Sequence, residues 1–518
     1  MIKTSILWVD DEIDLLRVSI LFLEQKGYEV TTLNNGFDAV ELVKKRNFDI
    51  LFIDENMPGI SGLETLSLIK EQKPGLPIVM ITKNEEENIM DQAIGSKIAD
   101  YLIKPVNPNQ ILLSIKKNVD NKRLVSQKTT TDYRTEFTKL GQQINTIQTF
   151  PDWAQVYKKL VFWEIELEKL NDKAMDEILQ FQKNEANNEF CKYIENNYIQ
   201  WFGNKTDTRP LMQPDVFKSR IFPELDLGEQ VFLIVVDNLR YDQWRVMQPL
   251  VNQFLNTDNE EILCSILPTA TQYARNALFA GLMPNQIAKM FPQFWRNDDE
   301  EGGKNEFEAD LVDSLLTRYR KKIKFQYEKI QNKKQGLKLV DSFKALLSNQ
   351  LNIIVYNFVD TLSHARTESQ MLRELAYDEP AFRSLALTWF EHSSLLELIK
   401  EISAHKATVF ITTDHGTIRV SNPVKVVGDK ETSANLRYKT GRNLNYNAKE
   451  VFEVTRPSAV ELPSINLSSS FIFARNHDFL AYPNNYNHYV RYYKDSFQHG
   501  GISMEEMLIP FVTLRARK

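Results

Sequence analysis

Acidic residues stand at the ends of apolar runs in the first part of the chain. Asp10 and Asp11 follow SILWV, Asp54 ends ILFID, Thr82 ends IVMIT, and Lys104 follows YLI. If these runs are neighbouring strands of one sheet, three carboxylates meet one ammonium group and one hydroxyl, a set that binds a hard divalent cation through oxygen. Such a site can accept a phosphoryl group on Asp54, because the metal screens the repulsion between an anionic donor and the carboxylate.

The other side chains of this set suit the same chemistry. Lys104 would balance the charge of an acyl phosphate, and Thr82 would hydrogen-bond a phosphoryl oxygen. Tyr101, three residues before Lys104, is placed to report the change. Taken singly, an aspartate at the end of a strand is more often a helix cap or a turn former than a ligand. The prediction therefore depends on the order and spacing of the whole set.

A second set of acids and imidazoles ends apolar runs in the C-terminal half. Its members are Asp237 after VFLIVV, Asp360 and His364 after NIIVYNFV, Asp414 and His415 after ATVFITT, and His499 in QHGGISMEEMLIP. Zinc binds carboxylate oxygen and neutral imidazole nitrogen, and this set supplies ligands for two ions that each keep an open position; manganese is the alternative. Two such ions suit phosphoryl transfer, because one activates the attacking oxygen while the other stabilises the leaving oxygen.

The candidate nucleophile is Thr271 in LPTATQYARNALFAG, just before a helical stretch that ends at Gly281. Backbone N–H groups at a helix N-terminus favour an anionic phosphoryl group, and a metal can lower the pKa of the hydroxyl so that it attacks. Thr269 is the competing choice. Considered alone, Thr271 would be read as a helix N-cap.

The elements that must position these residues follow from the hydrophobic pattern. Apolar runs alternate with amphipathic helical stretches over residues 1–118, which predicts a parallel sheet wrapped by helices, and VFLIVVD opens a second alternation whose later strands are NIIVYNFVD, ATVFITTD and SSFIFA. Between them, residues 136–201 are helical in pattern, preceded by a polar segment, NKRLVSQKTTTDYR, that is a linker or a frayed helix end. We predict an α/β domain over residues 1–120, a helical connector bundle over 121–209 and a second α/β domain over 210–518.

Composition bounds the class of protein. The 518 residues carry 63 Lys and Arg against 69 Asp and Glu, a net charge of -6, which argues against a protein that mainly coats nucleic acid. Two cysteines, Cys191 and Cys264, are too few for a disulfide framework, and no signal peptide or membrane span is evident, so we predict a cytoplasmic protein without membrane contact. Residues 318–334 form a basic run with interleaved aromatics that could grip a polyanion, although a solvated helix or hairpin is the favoured interpretation.

The first set closely resembles the receiver domain of bacterial response regulators. The resemblance covers residues 3–120 through VDDE, the DENMPGISGLE loop, the Thr82 strand end and Lys104-Pro105. It implies a doubly wound, flavodoxin-like fold, Mg²⁺ on Asp10, Asp11 and Asp54, phosphorylation of Asp54 by a sensor histidine kinase, and homodimerisation on phosphorylation. Thr82, Tyr101 and Lys104 would be the switch residues. Lys83 departs from the family, which usually has a small residue after the threonine, and this affects the expected lifetime of the phosphorylated state.

The second set resembles the alkaline phosphatase superfamily, and most closely its PglZ branch, over residues 210–518. The motifs are VVDN, PTATQ, VDTLSH, TTDHG and QHGGISMEEMLIP, in that order. The resemblance implies one zinc on Asp237, Thr271, Asp414 and His415, and a second on Asp360, His364 and His499. The Pro-Thr-x-Thr setting of Thr271 is similar to that of the nucleotide phosphodiesterases, which favours phosphodiester substrates such as nucleotides or oligonucleotides over monoesters.

The whole chain is similar to a class of response regulators associated with type IX secretion. That likeness implies control of secretion genes, with a sigma factor as a further partner; no helix-turn-helix or other DNA-reading motif is evident in the sequence. We carry two hypotheses forward. In the first, Asp54 phosphorylation controls a metal-dependent phosphoric ester hydrolase. In the second, the zinc domain is structural and binds a sigma factor or other partner without significant turnover.

Overall fold

The computed structural model describes residues 4–83, 98–170, 172–203, 206–298, 300–428, 432–464 and 469–517. The chain forms two compact units, Met1–Arg134 and Thr135–Lys518. Among the described residues, no helix combines the length and the apolar character that a membrane span needs.

The first unit has a five-stranded parallel sheet in the order β2-β1-β3-β4-β5. Its strands are β1 Ser5–Val9, β2 Glu29–Leu33, β3 Ile50–Asp54, β4 Ile78–Thr82 and β5 Asp100–Ile103. Among the described residues, its helices are α1 Arg17–Gln25, α2 Gly36–Lys45, α3 Gly62–Gln72 and α4 Pro108–Ile115, and α5 Asn121–Ile144 runs across the boundary between the two units. The polar segment that begins at residue 121 is thus helical. The predicted flavodoxin-like fold of the N-terminal domain is confirmed.

Strand β1 has buried side chains on both faces of the sheet. In β1, Leu7 and Val9 pack into one buried cluster, whereas Ile6 and Trp8 pack into another on the opposite face. A sheet buried on both faces reads as a continuous apolar run, as SILWV does. Because all five strands are parallel, their carboxyl ends meet at one edge.

After the end of α5, the second unit continues with two long helices, α6 Phe150–Glu168 and α7 Lys173–Trp201. Buried aromatic residues, among them Trp153 and Phe190 with ring centroids 5.4 Å apart, join the two helices. Helix α7 also contacts the rest of this unit: Asn187 donates to Glu505, and Tyr198 accepts from the Leu267 backbone N–H. The connector helices are therefore packed on the C-terminal domain.

The rest of the unit is built on a six-stranded mixed sheet in the order β7-β18-β10-β6-β9-β8. Its strands are β6 Val231–Val236, β7 Leu255–Cys264, β8 Phe325–Ile330, β9 Leu351–Tyr356, β10 Thr408–Thr412 and β18 Leu508–Ala516. Strands β8, β9, β6 and β10 run parallel, while β18 is antiparallel to both of its neighbours.

Helices and three small sheets surround this core. The helices are α8 Phe222–Asp226, α9 Tyr241–Val251, α10 Thr271–Ala280, α11 Pro284–Met290, α12 Glu308–Arg318, α13 Lys333–Asp341, α14 Phe343–Leu346, α15 Phe358–Glu368, α16 Gln370–Leu375, α17 Glu379–Glu391, α18 Ser394–Ser403, α19 Tyr486–Tyr493 and α20 Met504–Met507. The small sheets pair β11 Ile418–Arg419 with β17 Phe497–Gln498, β12 Asn422–Lys425 with β16 Asp478–Ala481, and β13 Tyr438–Gly441 and β14 Val451–Val454 with β15 Ser470–Ala474.

Three predicted elements differ from the structure. The run NIIVYNFVD is a strand only to Tyr356, and Asp360 lies in the first turn of α15. The run SSFIFA is a strand, β15, but in a small antiparallel sheet rather than in the central one. Residues 318–334 are neither a solvated helix nor a hairpin, because their centre is β8, which pairs in parallel with β9 at the edge of the central sheet. The side chains of β8 are mostly half-buried, as suits an edge strand, although charged residues flank the strand in the sequence.

Candidate phosphoacceptor and metal sites

The three N-terminal carboxylates lie together at the carboxyl edge of the receiver sheet. Asp10, Asp11 and Asp54 each offer an oxygen within 4.8 Å of the others. Asp10 and Asp11 follow β1, and Asp54 ends β3, which is the neighbour of β1. Lys104, just after β5, places Nζ 2.8 Å from Asp10 Oδ2 and 3.1 Å from Asp54 Oδ2. The structure thus brings together the predicted acids and their counter-ion.

The electrostatics of this cluster suit cation binding. Burial raises the pKa of Asp54, as do the charges of Asp10 and Asp11, whereas Lys104 lowers it. Burial lowers the pKa of Lys104, but its bonds to Asp10 and Asp54 outweigh that effect and raise the pKa. Asp54 Oδ1 is buried and has no hydrogen-bond partner in the described part of the chain. A divalent cation would satisfy that oxygen and offset the acidic repulsion.

Thr82 is hydrogen-bonded to Glu55, a residue that the sequence reasoning missed. Thr82 Oγ1 donates to Glu55 Oε2 at 2.6 Å, and Glu55 directly follows Asp54. Burial raises the pKa of Tyr101, and a hydrogen bond between Tyr101 and Thr82 lowers it in part. For Thr82 to donate to a phosphoryl group, its bond to Glu55 must break. In the sequence, the only indication of a role for Glu55 is that it directly follows Asp54 in the motif DEN.

The first C-terminal cluster surrounds Thr271. Asp237 follows β6, Asp414 and His415 follow the adjacent parallel strand β10, and their ligand atoms all lie within 4.8 Å of one another. Thr271 is the first residue of α10, and its Oγ1 lies 3.1 Å from His415 Nε2 and 3.4 Å from Asp237 Oδ1. The four residues predicted for one metal are therefore neighbours.

The second cluster contains Asp360, His364 and His499, whose ligand atoms also lie within 4.8 Å. Asp360 and His364 are one turn apart on α15, and His499 follows β17. Asp360 Oδ1 is 3.5 Å from His364 Nε2 and 3.7 Å from His499 Nε2. The rings of His415 and His499 stack with centroids 4.2 Å apart, so the two clusters are adjacent.

Two of the imidazoles are prepared to act as metal ligands through Nε2. His415 Nδ1 lies 3.0 Å from the Gly416 carbonyl, and His499 Nδ1 lies 3.1 Å from the Thr269 carbonyl. An Nδ1–H that donates to a carbonyl leaves the Nε2 lone pair free. Burial lowers the pKa of both, to about 3 for His499. Both rings are therefore neutral at pH 7, as ligation requires.

Burial disfavours the charged forms of the two acids of the first cluster. Burial raises the pKa of Asp237 and of Asp414, and the proximity of Asp414 raises that of Asp237 further. Asp414 Oδ2 is buried without a hydrogen-bond partner among the described residues. Carboxylates and neutral imidazoles together form a donor set that fits zinc and also manganese.

Thr269 and Thr271 have distinct environments. Thr269 Oγ1 is fully buried, donates to the Gly501 carbonyl at 2.9 Å and accepts from the Gly500 N–H at 3.0 Å. Thr271 is partly exposed beside the carboxylates. These bonds commit the Thr269 hydroxyl to the loop that carries His499, which favours Thr271 as the nucleophile.

Arg275 and Asn238 also contact the clusters, and the sequence reasoning missed both. Arg275 Nη1 donates to Asp237 Oδ2 at 2.5 Å. Asn238, in the left-handed region with φ 63°, donates its backbone N–H to Asp414 Oδ1 and its Nδ2 to Asp360 Oδ1, at 3.2 and 3.3 Å. The spacing of four residues between Thr271 and Arg275 was a usable signal, because such residues share a helix face.

Comparisons with known proteins divide the chain in the same order. Residues 6–116 match the response regulator receiver domain, residues 123–202 the PorX response regulator linker domain, and residues 216–514 the BREX system PglZ alkaline phosphatase-like domain. Fold and sites together define a response regulator with an alkaline phosphatase-like C-terminal domain. The chain belongs to the PglZ family, and its order of domains matches that of a PorX-like PglZ response regulator.

Three individual relatives each match less than a quarter of the chain. The transcriptional regulatory protein ResD of Bacillus subtilis is 34% identical over 114 residues, which are 22% of this chain and 47% of ResD. The alginate biosynthesis regulator AlgB of Pseudomonas syringae pv. tomato is 34% identical over 119 residues, or 23% of this chain and 27% of AlgB. The chain thus spans half or less of these relatives. A CheY-like receiver structure from Methanospirillum hungatei has 27% identity and a TM-score of 0.23, covering 23% of this chain and 96% of that one.

Proposed function

We propose that this response regulator is phosphorylated on Asp54 by a histidine kinase and that its C-terminal domain is a metal-dependent phosphoric ester hydrolase with Thr271 as nucleophile. The observation that carries the proposal is the position of the Thr271 hydroxyl, 3.1 Å from His415 Nε2 and 3.4 Å from Asp237 Oδ1, at the start of α10. A structural zinc site is closed by its protein ligands and does not require a partly exposed hydroxyl beside them.

The two clusters would each hold one zinc ion. Asp237, Asp414 and His415 would hold the ion beside Thr271, and Asp360, His364 and His499 would hold its neighbour. When bound, two such ions would favour the ionised Thr271 hydroxyl and offset negative charge at phosphorus.

The chain itself supplies the acceptor and its orientation. In the first step the Thr271 hydroxyl gives up its proton, an Oγ–P bond forms and the ester P–O bond breaks, and the leaving oxygen takes up a proton and departs as an alcohol. Water then attacks the phosphothreonine, releases the phosphoryl product and restores the hydroxyl. Ala270 precedes the helix and has no side chain that could cap it, and the first-turn N–H groups of α10 favour an anionic group at that end.

The preference for phosphodiesters is supported by the setting of Thr271 in Pro-Thr-x-Thr. We further propose that phosphorylation of Asp54 with Mg²⁺ bound at Asp10, Asp11 and Asp54 favours a homodimer and changes the output of the C-terminal domain. The PorX-like order of domains supports a role in the regulation of type IX secretion, with a sigma factor as a further partner.

The proposal is tested with purified full-length protein loaded with zinc, assayed on bis(p-nitrophenyl) phosphate and on p-nitrophenyl phosphate. Thr271→Ala should abolish turnover, whereas Thr317→Ala, which removes an exposed threonine from α12, should retain it. Turnover should be faster on the diester. Zinc-replete wild-type protein without turnover on either ester would contradict the hydrolase and favour the binding module.

Coupling to the receiver is tested by adding acetyl phosphate in the same assay. Wild-type turnover should change on addition of this donor, and Asp54→Ala turnover should not. Equal responses of the two proteins would contradict control through Asp54 while leaving the hydrolase intact.

A further inference from the structure

Arg275 contacts one side of the first cluster, at Asp237, and has no part in the chemistry proposed above. It is 1% exposed and lies one turn after Thr271 on α10. Its Nη1 donates to Asp237 Oδ2 at 2.5 Å, while Asp237 Oδ1 lies 3.4 Å from Thr271 Oγ1. The two oxygens of Asp237 are thus divided between the guanidinium and the candidate metal site.

A second carboxylate holds the guanidinium from behind. Arg275 Nε donates to Glu308 Oε1, and Glu308 is 1% exposed at the start of α12. The other oxygen of Glu308 accepts from the Tyr327 hydroxyl and lies 3.3 Å from Lys329 Nζ. Tyr327 and Lys329 are two residues apart on β8 and therefore share a face of the strand. The basic run at 318–334 thus supports the site through this strand.

This arrangement restricts the rotation of Asp237. The guanidinium is planar, and its N–H groups point in fixed directions. Because Nε is bound to Glu308, the plane of the guanidinium is fixed, and so is the direction in which Nη1 donates to Asp237. A ligating carboxylate whose second oxygen is hydrogen-bonded keeps one orientation, and loss of such a partner lowers metal affinity or activity about 10–100-fold.

We propose that Arg275 is a positioning residue for Asp237, and that Glu308 and Tyr327 hold Arg275 in place. Arg275 turns Asp237 Oδ1 towards the metal and the Thr271 hydroxyl. The inference rests on the proposed metal site. The opposite arrangement, in which the guanidinium competes with the metal for Asp237, predicts an effect of opposite sign.

The direct test is the zinc affinity of the full-length protein, measured by competition with a chromophoric chelator. In Arg275→Lys, one of two zinc equivalents should bind about 10–100-fold more weakly. The matched control is Arg383→Lys, because Arg383 is equally buried and bonds Asp242 and Glu164 in a different carboxylate cluster. It should keep both affinities. Unchanged or tighter zinc binding in Arg275→Lys would overturn the proposal.

A milder variant guards against misfolding. Tyr327→Phe removes only the hydroxyl that Glu308 accepts from, and it should weaken the same zinc equivalent by a smaller factor. An affinity loss in Arg275→Lys with no loss at all in Tyr327→Phe would remove Tyr327 from the proposal.

Kinetics separate positioning from general damage and from the proposed function. At saturating zinc, Arg275→Lys should lower kcat on the diester with little change in KM, because the nucleophile rather than the substrate is misplaced. Wild-type protein that binds two zinc ions without hydrolysis would contradict the proposed function alone. Hydrolysis by wild type together with unaltered zinc affinity and unaltered kcat in Arg275→Lys would contradict the Arg275 proposal alone.

Discussion

Lys183 in α7 is buried between two carboxylates that come from distant parts of the chain. Its Nζ lies 2.7 Å from Glu164 Oε2 in α6 and 3.6 Å from Glu505 Oε1 in α20. Burial lowers the pKa of Lys183, but the two carboxylates outweigh that effect and raise the pKa, so the ammonium is charged at pH 7. Replacing it by methionine keeps most of the volume and removes the charge.

The size of the effect follows from what remains. Glu164 still has Arg383 at 3.2 Å, and among the described residues Glu505 retains only its side-chain bond from Asn187 at 2.8 Å. Breaking a buried ion pair by removing one partner costs about 3–5 kcal/mol, and because Glu164 keeps a cation we expect about 3 kcal/mol for Lys183→Met. The matched control is Lys192→Met on the same helix, where the lysine side chain is 64% exposed in a pair with Glu189. An exposed pair of this kind is worth about 0.3–0.5 kcal/mol.

Urea unfolding followed by tryptophan fluorescence measures this difference. Of the 7 tryptophans, all but Trp8 lie in the unit Thr135–Lys518, so the signal reports mainly on that unit. Lys183→Met should move the main transition to lower urea, and Lys192→Met should leave it nearly unchanged. Equal and small losses for both variants, or a separate early transition for the connector helices, would refute the view that α7 is part of the core of this unit.

Three further predictions concern the same unit. Burial lowers the pKa of Lys439 to about 7. Above that pH the unfolded chain keeps a proton that the folded chain has released, so the free energy of unfolding rises with pH, and wild type should gain about 2 kcal/mol over Lys439→Met between pH 7.5 and 9 in urea titrations. Parallel curves of unfolding free energy against pH for the two proteins would contradict this. Thr269→Val should lower the free energy of unfolding by about 1–3 kcal/mol, because it leaves the Gly500 N–H unpaired, and calorimetry without a measurable loss would contradict the assigned bond. Removal of zinc by a chelator should lower the melting temperature of wild type. If free zinc is first present at 1,000 times its dissociation constant, about 4 kcal/mol of stability should be lost. A melting curve that does not change on addition of chelator would contradict metal binding at the clusters.

Local sequence pattern was enough to predict the strands whose ends carry most of the candidate ligands. Continuous apolar runs followed by an acid located β1, β3, β6 and β10, and parallel pairing then brought the ends of neighbouring strands together. The same logic misplaced Asp360, because the pattern of NIIVYNFVD does not show that the strand ends at Tyr356 and that a helix begins at Phe358.

Contacts between distant segments were beyond that reasoning. Arg275 and Glu308 are 33 residues apart, and Asn187 and Glu505 are 318 apart. Their pairing depends on how helices pack on the sheet, and a buried charge in a single sequence has the same appearance as a solvated one. The basic run at 318–334 illustrates this, because its Tyr327 is a hydrogen-bond donor within the site.

The most direct test of two metal ions beside Thr271 is anomalous diffraction at the zinc edge from crystals of the zinc-loaded protein. We predict one peak among Asp237, Asp414 and His415, in contact with the Thr271 hydroxyl, and a second among Asp360, His364 and His499. A single peak, or peaks at other residues, would contradict the two-metal site.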